Sequence, residues 1–215
     1  MKVDPVNAAD PESIRYNPEK NNLVWSSEGD KAVRNGVAVL QDPFVYEMDL
    51  NGNFRDSFYI PSNSRMKPGE AGPRTNGVFE AISFDENYRH LYVSTEEPLF
   101  EDGARADVDY SGAPVRITKY DVDTKKPIAQ YAYLLEAVAR KPLLEGTFRV
   151  NSVPEVLWYD YNRLLVMERS FSTGILSCTI KIFLADLSGA TDVSSVTSLV
   201  NNTNYKPATK KLLLN

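Results

Sequence analysis

The sequence predicts an all-β protein, specifically a β-propeller of four-stranded antiparallel blades, with about three blades in this chain. Two observations lead to this prediction. A hairpin motif with a glutamate at each end occurs three times, and alternating apolar and polar segments follow each copy. The three hairpins run from Glu12 to Glu28, from Glu80 to Glu96 and from Glu155 to Glu168. Their spacing suits blades of about 40–45 residues that each carry a long loop.

Two further strand-like segments follow each hairpin and complete a four-stranded sheet. The predicted pairs of segments are 45–50 and 54–60 in the first unit, 115–122 and 128–134 in the second, and 179–187 and 211–214 in the third. The pair in the first unit is joined by Asn51-Gly52, a strong hairpin signal. One propeller domain therefore spans residues 1–215, with blades at about 10–62, 76–135 and 150–215.

Long connections separate the second and third strands of the first two units, at 29–43 and 98–114. Loops of this length are usually functional, and we expect them at one end of the blades together with the Pro/Gly-rich segment 66–77. A short helix is predicted at 134–141. Because propellers usually close with four to eight blades, we expect the chain to be part of a longer protein. The alternative is a three-bladed building block of an oligomer.

Composition limits the partners of the protein. The net charge of −5 and the pI near 5.1 provide no basic surface for nucleic acid or anionic lipid. The single cysteine, Cys178, excludes an internal disulfide and a cysteine-rich zinc site. No apolar run approaches the ~20 residues of a membrane span. The first residues lack the apolar stretch of a secretory signal, so either the protein is cytoplasmic or the natural start is missing.

The repeated glutamates predict a metal site. Antiparallel pairing places the two glutamates of a hairpin side by side at its open end. If the hairpins are the inner halves of blades, six carboxylates converge at one mouth of the central channel, where they raise one another's pKa. Calcium resolves this repulsion with six to eight oxygen ligands. The predicted ligands are Glu12, Glu28, Glu80, Glu96 and Glu155. Glutamates that are solvated or paired with lysine or arginine are the alternative interpretation.

Several catalytic arrangements are missing from the sequence. It has no Gly-x-Ser-x-Gly elbow and no phosphate-binding Gly-Lys-Ser/Thr loop, and its one histidine, His90, falls in a predicted turn. Water activated by a metal is the remaining route to ester cleavage. The basic side chains beside the repeats and loops are candidate phosphate contacts, because guanidinium groups match phosphate well. They are Arg74, Arg116, Lys119 and Arg169, and salt bridges to the glutamates are the alternative role.

The segments at 73–85, 91–99, 114–121, 131–133 and 164–169 resemble the phytase-like family described as having esterase-like activity. The resemblance covers about residues 10–187 and implies an exported β-propeller with a phosphoester hydrolase function and a further glutamate-containing blade. Matched by position, the resemblance is best at Glu80, Glu96, Glu168 and Arg169, and it implies Glu80, Glu168 and Arg169 as catalytic residues. One departure is Ala81, where the family commonly has glycine after the glutamate.

Two functions follow from these observations. The first is a phytase-like hydrolase that acts on a small phosphorylated substrate with calcium held at the channel mouth, secreted or periplasmic in its full-length form. The second is a propeller without catalytic activity that calcium stabilises and that serves as a cell-surface or periplasmic binding scaffold. The substrate and the oligomeric state are left open by the sequence.

Overall fold

The structure is a computed structural model that describes residues 10–176 and 178–215, apart from the side chains of Arg34 and Ala38. The described residues form an all-β fold with three four-stranded antiparallel sheets and one two-stranded hairpin. The first sheet contains β1 (Pro11–Asn17), β2 (Asn22–Ser27), β5 (Phe44–Met48) and β6 (Phe54–Ser57), in that order. The hairpin consists of β3 (Asp30–Arg34) and β4 (Val37–Gln41). This confirms the predicted class, since the sheets are consistent with blades of a β-propeller.

The other two sheets each consist of four consecutive strands, with no additional strand of the described chain inserted between them. The second contains β7 (Phe79–Phe84), β8 (His90–Thr95), β9 (Pro114–Asp121) and β10 (Pro127–Leu134). The third contains β11 (Arg149–Asp160), β12 (Arg163–Ser172), β13 (Thr179–Asp186) and β14 (Thr209–Leu214). In these two sheets, strands that are consecutive in sequence are neighbours, as the alternating segments predicted.

The segment 29–43, expected as a loop, contains the hairpin β3–β4. Its turn is Asn35-Gly36, with φ of 53° and 77°. Two consecutive positive φ angles favour a tight hairpin whose twist matches that of its strands. This Asn-Gly pair is the same signal that identified the turn between β5 and β6.

The prediction of a helix at 134–141 was wrong. Strand β10 extends to Leu134, and no helix follows it in the described chain. The Leu135 amide donates to the Ala113 carbonyl at 2.9 Å, and the Val138 amide donates to the Asp107 carbonyl at 3.0 Å. Burial of Leu135 and Val138 accompanies these contacts. Pairing with the neighbouring loop has therefore overridden a weak helical propensity.

The second sheet lies between the other two and contributes to both apolar cores. One face packs against the first sheet, since one buried cluster contains Val24 and Val45 together with Ile82 and Tyr120. The opposite face packs against the third sheet through a cluster that includes Ile117. The first strands of the sheets lie together, because β7 contacts both β1 and β11. This arrangement, typical of inner strands in a propeller, positions the ends of the first two glutamate hairpins.

Candidate metal centre

Five carboxylates gather where the first two hairpins open. They form two groups, and within each group one oxygen per residue lies within 4.8 Å of the others. The groups are Asp10, Glu12 and Glu28, and Glu28, Glu80 and Glu96. Glu28 belongs to both groups and is only 3% exposed. We call these five residues the carboxylate cluster.

Strand pairing explains why the first two repeats bring these groups together. Leu23 pairs with Tyr16 in the first hairpin, and Leu91 pairs with Phe84 in the second. In both hairpins the closing glutamate lies five residues after the leucine and returns beside the opening one. The Glu28 amide also donates to the Asp10 carbonyl at 3.1 Å. The cluster thus follows from the backbone register.

The charge of the cluster is poorly compensated by protein groups. In the part of the chain that the structure describes, Arg169 is the only cation in ion-pair contact with it, through Nη2 at 3.2 Å from Glu96 Oε1. Ser152 Oγ donates to the same Glu96 oxygen at 2.7 Å. The Val78 amide donates to Glu28 Oε1 at 2.6 Å. Among the described residues, one guanidinium and the hydrogen bonds from Ser152 and Val78 are therefore the compensation that these five carboxylates share.

The pKa values show the consequence of this crowding. Burial, followed by the charges of Glu96, Glu12 and Glu28, raises the pKa of Glu80 to about 9. Burial is also the main cause that raises the pKa of Glu28 to about 7, against the opposing hydrogen bond from Val78. The pKa of Glu12 is raised as well, mainly by burial, and its carboxyl is hydrogen-bonded to that of Glu80. Two carboxyl groups in such contact share a proton when no cation is bound.

The donor set fits a hard divalent cation. All five side chains offer oxygen, the ligand that Ca²⁺ and Mg²⁺ take in proteins, and no histidine or cysteine belongs to either group. Glu28, common to both groups, is placed to share its carboxylate between them. Asp10, Glu12, Glu28, Glu80 and Glu96 are the residues that would hold the cation. Calcium tolerates irregular geometry and more ligands than magnesium does, which suits carboxylates arriving from two sheets.

The third hairpin does not contribute its glutamates to this cluster. Leu164 pairs with Trp158, so the position equivalent to Glu28 and Glu96, five residues after the leucine, is Arg169. Glu168 precedes that position by one residue, and a shift of one residue moves a strand side chain to the opposite face. Glu155 is also displaced by one residue from the position equivalent to Glu12 and Glu80, and the strand pairing has an irregularity between residues 152 and 155. Its carboxylate instead binds Arg15 Nη2 at 2.6 Å.

Glu168 lies in a separate buried network. Its Oε1 accepts hydrogen bonds from Tyr133 Oη at 2.8 Å and from Lys210 Nζ at 2.7 Å. Its Oε2 accepts from Asn151 Nδ2 at 2.6 Å and from the Glu136 amide at 3.0 Å. The side chain is 1% exposed. Four donors thus surround this carboxylate, which ties β12 to β10, β11 and β14 and lies outside both carboxylate groups.

The predicted phosphate contacts are dispersed. Arg116 is fully buried and pairs with Asp102 through Nε at 2.6 Å and Nη2 at 2.8 Å. Its remaining N–H groups donate to Gln130 Oε1 and to the carbonyls of Val193 and Val196. All its donors are occupied, so the structure gives it a role in joining the 187–208 loop to the second sheet.

Lys119 and Arg74 lie in different places. Lys119 Nζ is 5.5 Å from the centre of the Tyr92 ring, nearer the turn of the second hairpin than its open end. Burial lowers its pKa. Arg74 lies in the loop before β7, half-buried over the Phe100 ring at 4.1 Å. Of the four predicted contacts, the structure brings Arg169 to the carboxylate cluster.

Two residues of the site were missed by the sequence analysis. Asp10 lies two residues before Glu12, and side chains two residues apart on an extended chain share a face. The sequence therefore contained a signal that could have identified Asp10 as part of the site. Ser152 had no local signal. It reaches Glu96 because β11 packs beside β7 and β8, which is a contact between sheets.

Comparison with protein families shows which family the chain belongs to. Residues 2–215 match the phytase-like family described as "Esterase-like activity of phytase", so the chain is a member of that family. No curated protein matches it in a sequence comparison. Among the described residues, no helix has the length and apolar character needed to cross a membrane.

Proposed function

We propose that the protein is a metal-dependent phosphoester hydrolase that holds calcium in the carboxylate cluster. The observation that carries this proposal is the convergence of five carboxylates with a single arginine in contact among the described residues. Membership in the phytase-like family supports the reaction class. The substrate would be a small phosphorylated molecule, in keeping with an acidic chain that has no basic surface for nucleic acid.

Each part of the site would contribute a defined function. A bound divalent cation supplies neutralisation of phosphoryl oxygens and acidification of water. Glu28 and Glu80 would bind the cation, and Ser152 would orient Glu96 through its hydrogen bond. The Arg169 side chain is 45% exposed and contacts Glu96 through one amino group. Its other donors would stabilise the negative charge that develops on phosphate in the transition state.

The test is phosphate release from phytate and from an aryl phosphate, measured with calcium and with chelator. We expect release that requires calcium and that Glu80→Gln reduces by at least about a hundredfold, because the variant weakens binding of the cation whose charge would stabilise the transition state. Glu155→Gln is the matched control, because that residue is in neither carboxylate group. Release that persists in chelator would contradict the proposal.

A second function is favoured by the origin of the ligands. Glu12 lies in the first sheet, with Asp10 and Glu28 directly beside its strands, while Glu80 lies in the second sheet and Glu96 directly follows β8. A cation held between them would join two sheets, as required of the calcium-stabilised binding scaffold without catalytic activity. That function predicts a higher melting temperature with calcium and no phosphate release from either substrate.

We also propose that the full-length protein is exported. The family resemblance implies export, and calcium sites of extracellular modules work at the high calcium concentrations found outside cells. Fractionation of cells that express the full-length gene tests this, and recovery of the protein from the cytosol alone would contradict it.

A further inference from the structure

A wide cavity of about 590 Å³ that is largely open to solvent lies beside the loops that precede β7, follow β8 and precede β11. This volume is within the range of small-molecule sites. Its lining includes three arginines, Arg74, Arg105 and Arg149, and two aromatic rings, Phe100 and Phe148. The proposed hydrolase mechanism uses none of these five residues, and the cavity residues are distinct from the carboxylate cluster.

Arg74 is held in a fixed orientation without a carboxylate partner. Its Nε donates to the Pro98 carbonyl at 2.9 Å, and its Nη2 donates to the Gly103 carbonyl at 2.8 Å. The guanidinium stacks over the Phe100 ring, 4.1 Å from its centre. No acidic group of the described chain lies within ion-pair distance of it. Two carbonyls and a ring thus orient a positive charge whose Nη1 group is left to bind a ligand.

The other charges of the cavity largely cancel. Arg149 binds Asp107 through Nε and Nη2, and its Nη1 donates to the Thr147 carbonyl at 3.2 Å. Arg105 uses only its Nε, which contacts Glu97 Oε2 at 2.7 Å. Its two amino groups have no acceptor in the described part of the protein. The N–H groups that remain for a ligand therefore come from Arg74 and Arg105.

Glu70 is the one acidic side chain of the lining that forms no ion pair with the described residues. It is exposed, and its charge raises the pKa of Arg74 only as the smallest of several causes, while burial lowers that pKa most. Glu70 would repel an anion weakly because solvent screens charges at exposed positions.

The aromatic lining indicates the rest of the ligand. Phe148 is 55% exposed, so part of its ring is accessible to a ligand in the cavity. Small residues, including Gly103, Ala104 and Gly146, leave space beside it. A flat apolar group fits such a lining, and contact with an aromatic ring contributes free energy in addition to buried area.

We propose that this cavity binds a small organic anion, namely a phosphonate, phosphate or carboxylate group on a flat apolar body. Arg74 and Arg105 would contact the anionic group, and Phe148 would contact the apolar body. The site needs no metal, so it goes beyond the proposed function and does not depend on it.

Calorimetric titration of the protein in chelator tests the proposal. The probes are phenylphosphonate, which cannot be hydrolysed at its P–C bond, benzoate, inorganic phosphate and neutral benzyl alcohol. We expect at least one of the two aromatic anions to bind about tenfold more tightly than inorganic phosphate, and benzyl alcohol to show no binding. The two aromatic anions distinguish a phosphoryl-type ligand from a carboxylate. Failure of both to bind, or equal binding of benzyl alcohol, would overturn the proposal.

Variants locate the binding site. Arg74→Met should weaken binding of the tighter aromatic anion by at least about tenfold, because a hydrogen bond to a charged group is lost. Arg89→Met is the matched control, since this exposed arginine lies in the turn between β7 and β8, and it should leave binding unchanged. Equal effects of the two variants would overturn the assignment.

Variants at two exposed positions, Glu70 and Phe148, test the same binding site if Arg74→Met fails to fold. Glu70→Gln should tighten binding about two- to fivefold, since it removes an exposed like charge. Phe148→Ala should weaken binding of the aromatic anion and leave that of inorganic phosphate unchanged. Absence of both effects in folded variants would exclude the cavity as the site.

Discussion

Glu168 is buried and Glu80 is half-buried, and the groups that surround the two glutamates differ. Glu168 accepts four hydrogen bonds, two of them from Lys210 and Tyr133. Glu80 lies among other carboxylates, and partial burial followed by their charges raises its pKa to about 9. A carboxylate with donors on every side stabilises the fold, whereas one among like charges favours a proton or a metal ion. Substitution should separate these two roles.

Glu168→Gln should lower the free energy of unfolding by about 3–5 kcal/mol, the usual cost of breaking a buried ion pair. The glutamine amide group would face Lys210 or Asn151, which are themselves donors. Calcium binding by the folded fraction should be unchanged, because Glu168 is in neither carboxylate group. Chemical denaturation and calcium titration measure the two quantities.

Glu155→Gln serves as the control for that experiment. Its ion pair with Arg15 is half-exposed, so the loss should be within about 1 kcal/mol. An unfolding free energy of Glu168→Gln equal to that of Glu155→Gln would contradict the buried network.

The end of β2 controls the position of Glu28. Gly29, the next residue, has a φ of +75°, and a Cβ there would lie 2.2 Å from the Gln41 carbonyl oxygen. The chain therefore turns into the β3–β4 hairpin immediately after a buried ligand candidate. Only glycine fits this close approach of two backbone segments.

Gly29→Ala should destabilise the protein by more than about 1 kcal/mol and weaken calcium binding, because the backbone beside Glu28 must shift. Gly36→Ala is the matched variant. Gly36 also has a positive φ, +77°, but nothing lies within 4 Å of a Cβ placed there. Gly36→Ala should cost only the conformational strain and leave calcium binding intact. Equal effects on calcium binding would contradict the role given to the end of β2.

The strands were largely predictable from the sequence because alternation and Asn-Gly turns are local signals. The strands β9, β10 and β13 begin and end within a residue or two of the expected positions. The 134–141 helix failed because contacts with the distant residues 107 and 113 decide that segment. Four of the five predicted calcium ligands do converge in the structure, and Glu155 does not.

The positions of Glu155 and Glu168 outside the carboxylate cluster have one physical origin. All three hairpins have a glutamate at each end, but only the first two hairpins pair their strands in the same register relative to those glutamates. A one-residue shift leaves the composition of the third hairpin similar while it reverses the faces of Glu155 and Glu168. The shorter spacing of that hairpin, 155 to 168, was the visible sign of the shift. The burial of Arg116 and the contact of Ser152 depend on packing between sheets and have no local signal.

At the scale of the whole molecule, the carboxylate cluster makes stability depend on pH. Glu80 and Glu28 have pKa values raised above the ordinary 4.5, to about 9 and about 7. The folded state therefore binds more protons than the unfolded state between these limits. Stability is greatest below pH 4.5 as far as these groups are concerned and decreases as the pH rises through 7 and towards 9.

In chelator, the melting temperature should fall as the pH is raised from about 5 to 9, by about 2–4 °C for each kcal/mol lost. Calcium should reverse the fall at pH 8–9, since it replaces the protons on the same oxygens. Glu80→Gln should flatten the profile in chelator, because the variant has no proton to lose at that position. A profile in chelator that is flat for the unmodified protein would contradict the electrostatic description of the cluster.

The most direct test of the central claim is a calcium titration at pH 7.5 of three proteins, the unmodified chain, Glu80→Gln and Glu155→Gln. We expect one or two calcium ions to bind the unmodified protein, at least tenfold weaker binding to Glu80→Gln, and unchanged binding to Glu155→Gln. Equal affinities for all three proteins, or no calcium binding by the folded unmodified protein, would contradict the assignment of the carboxylate cluster as a metal centre.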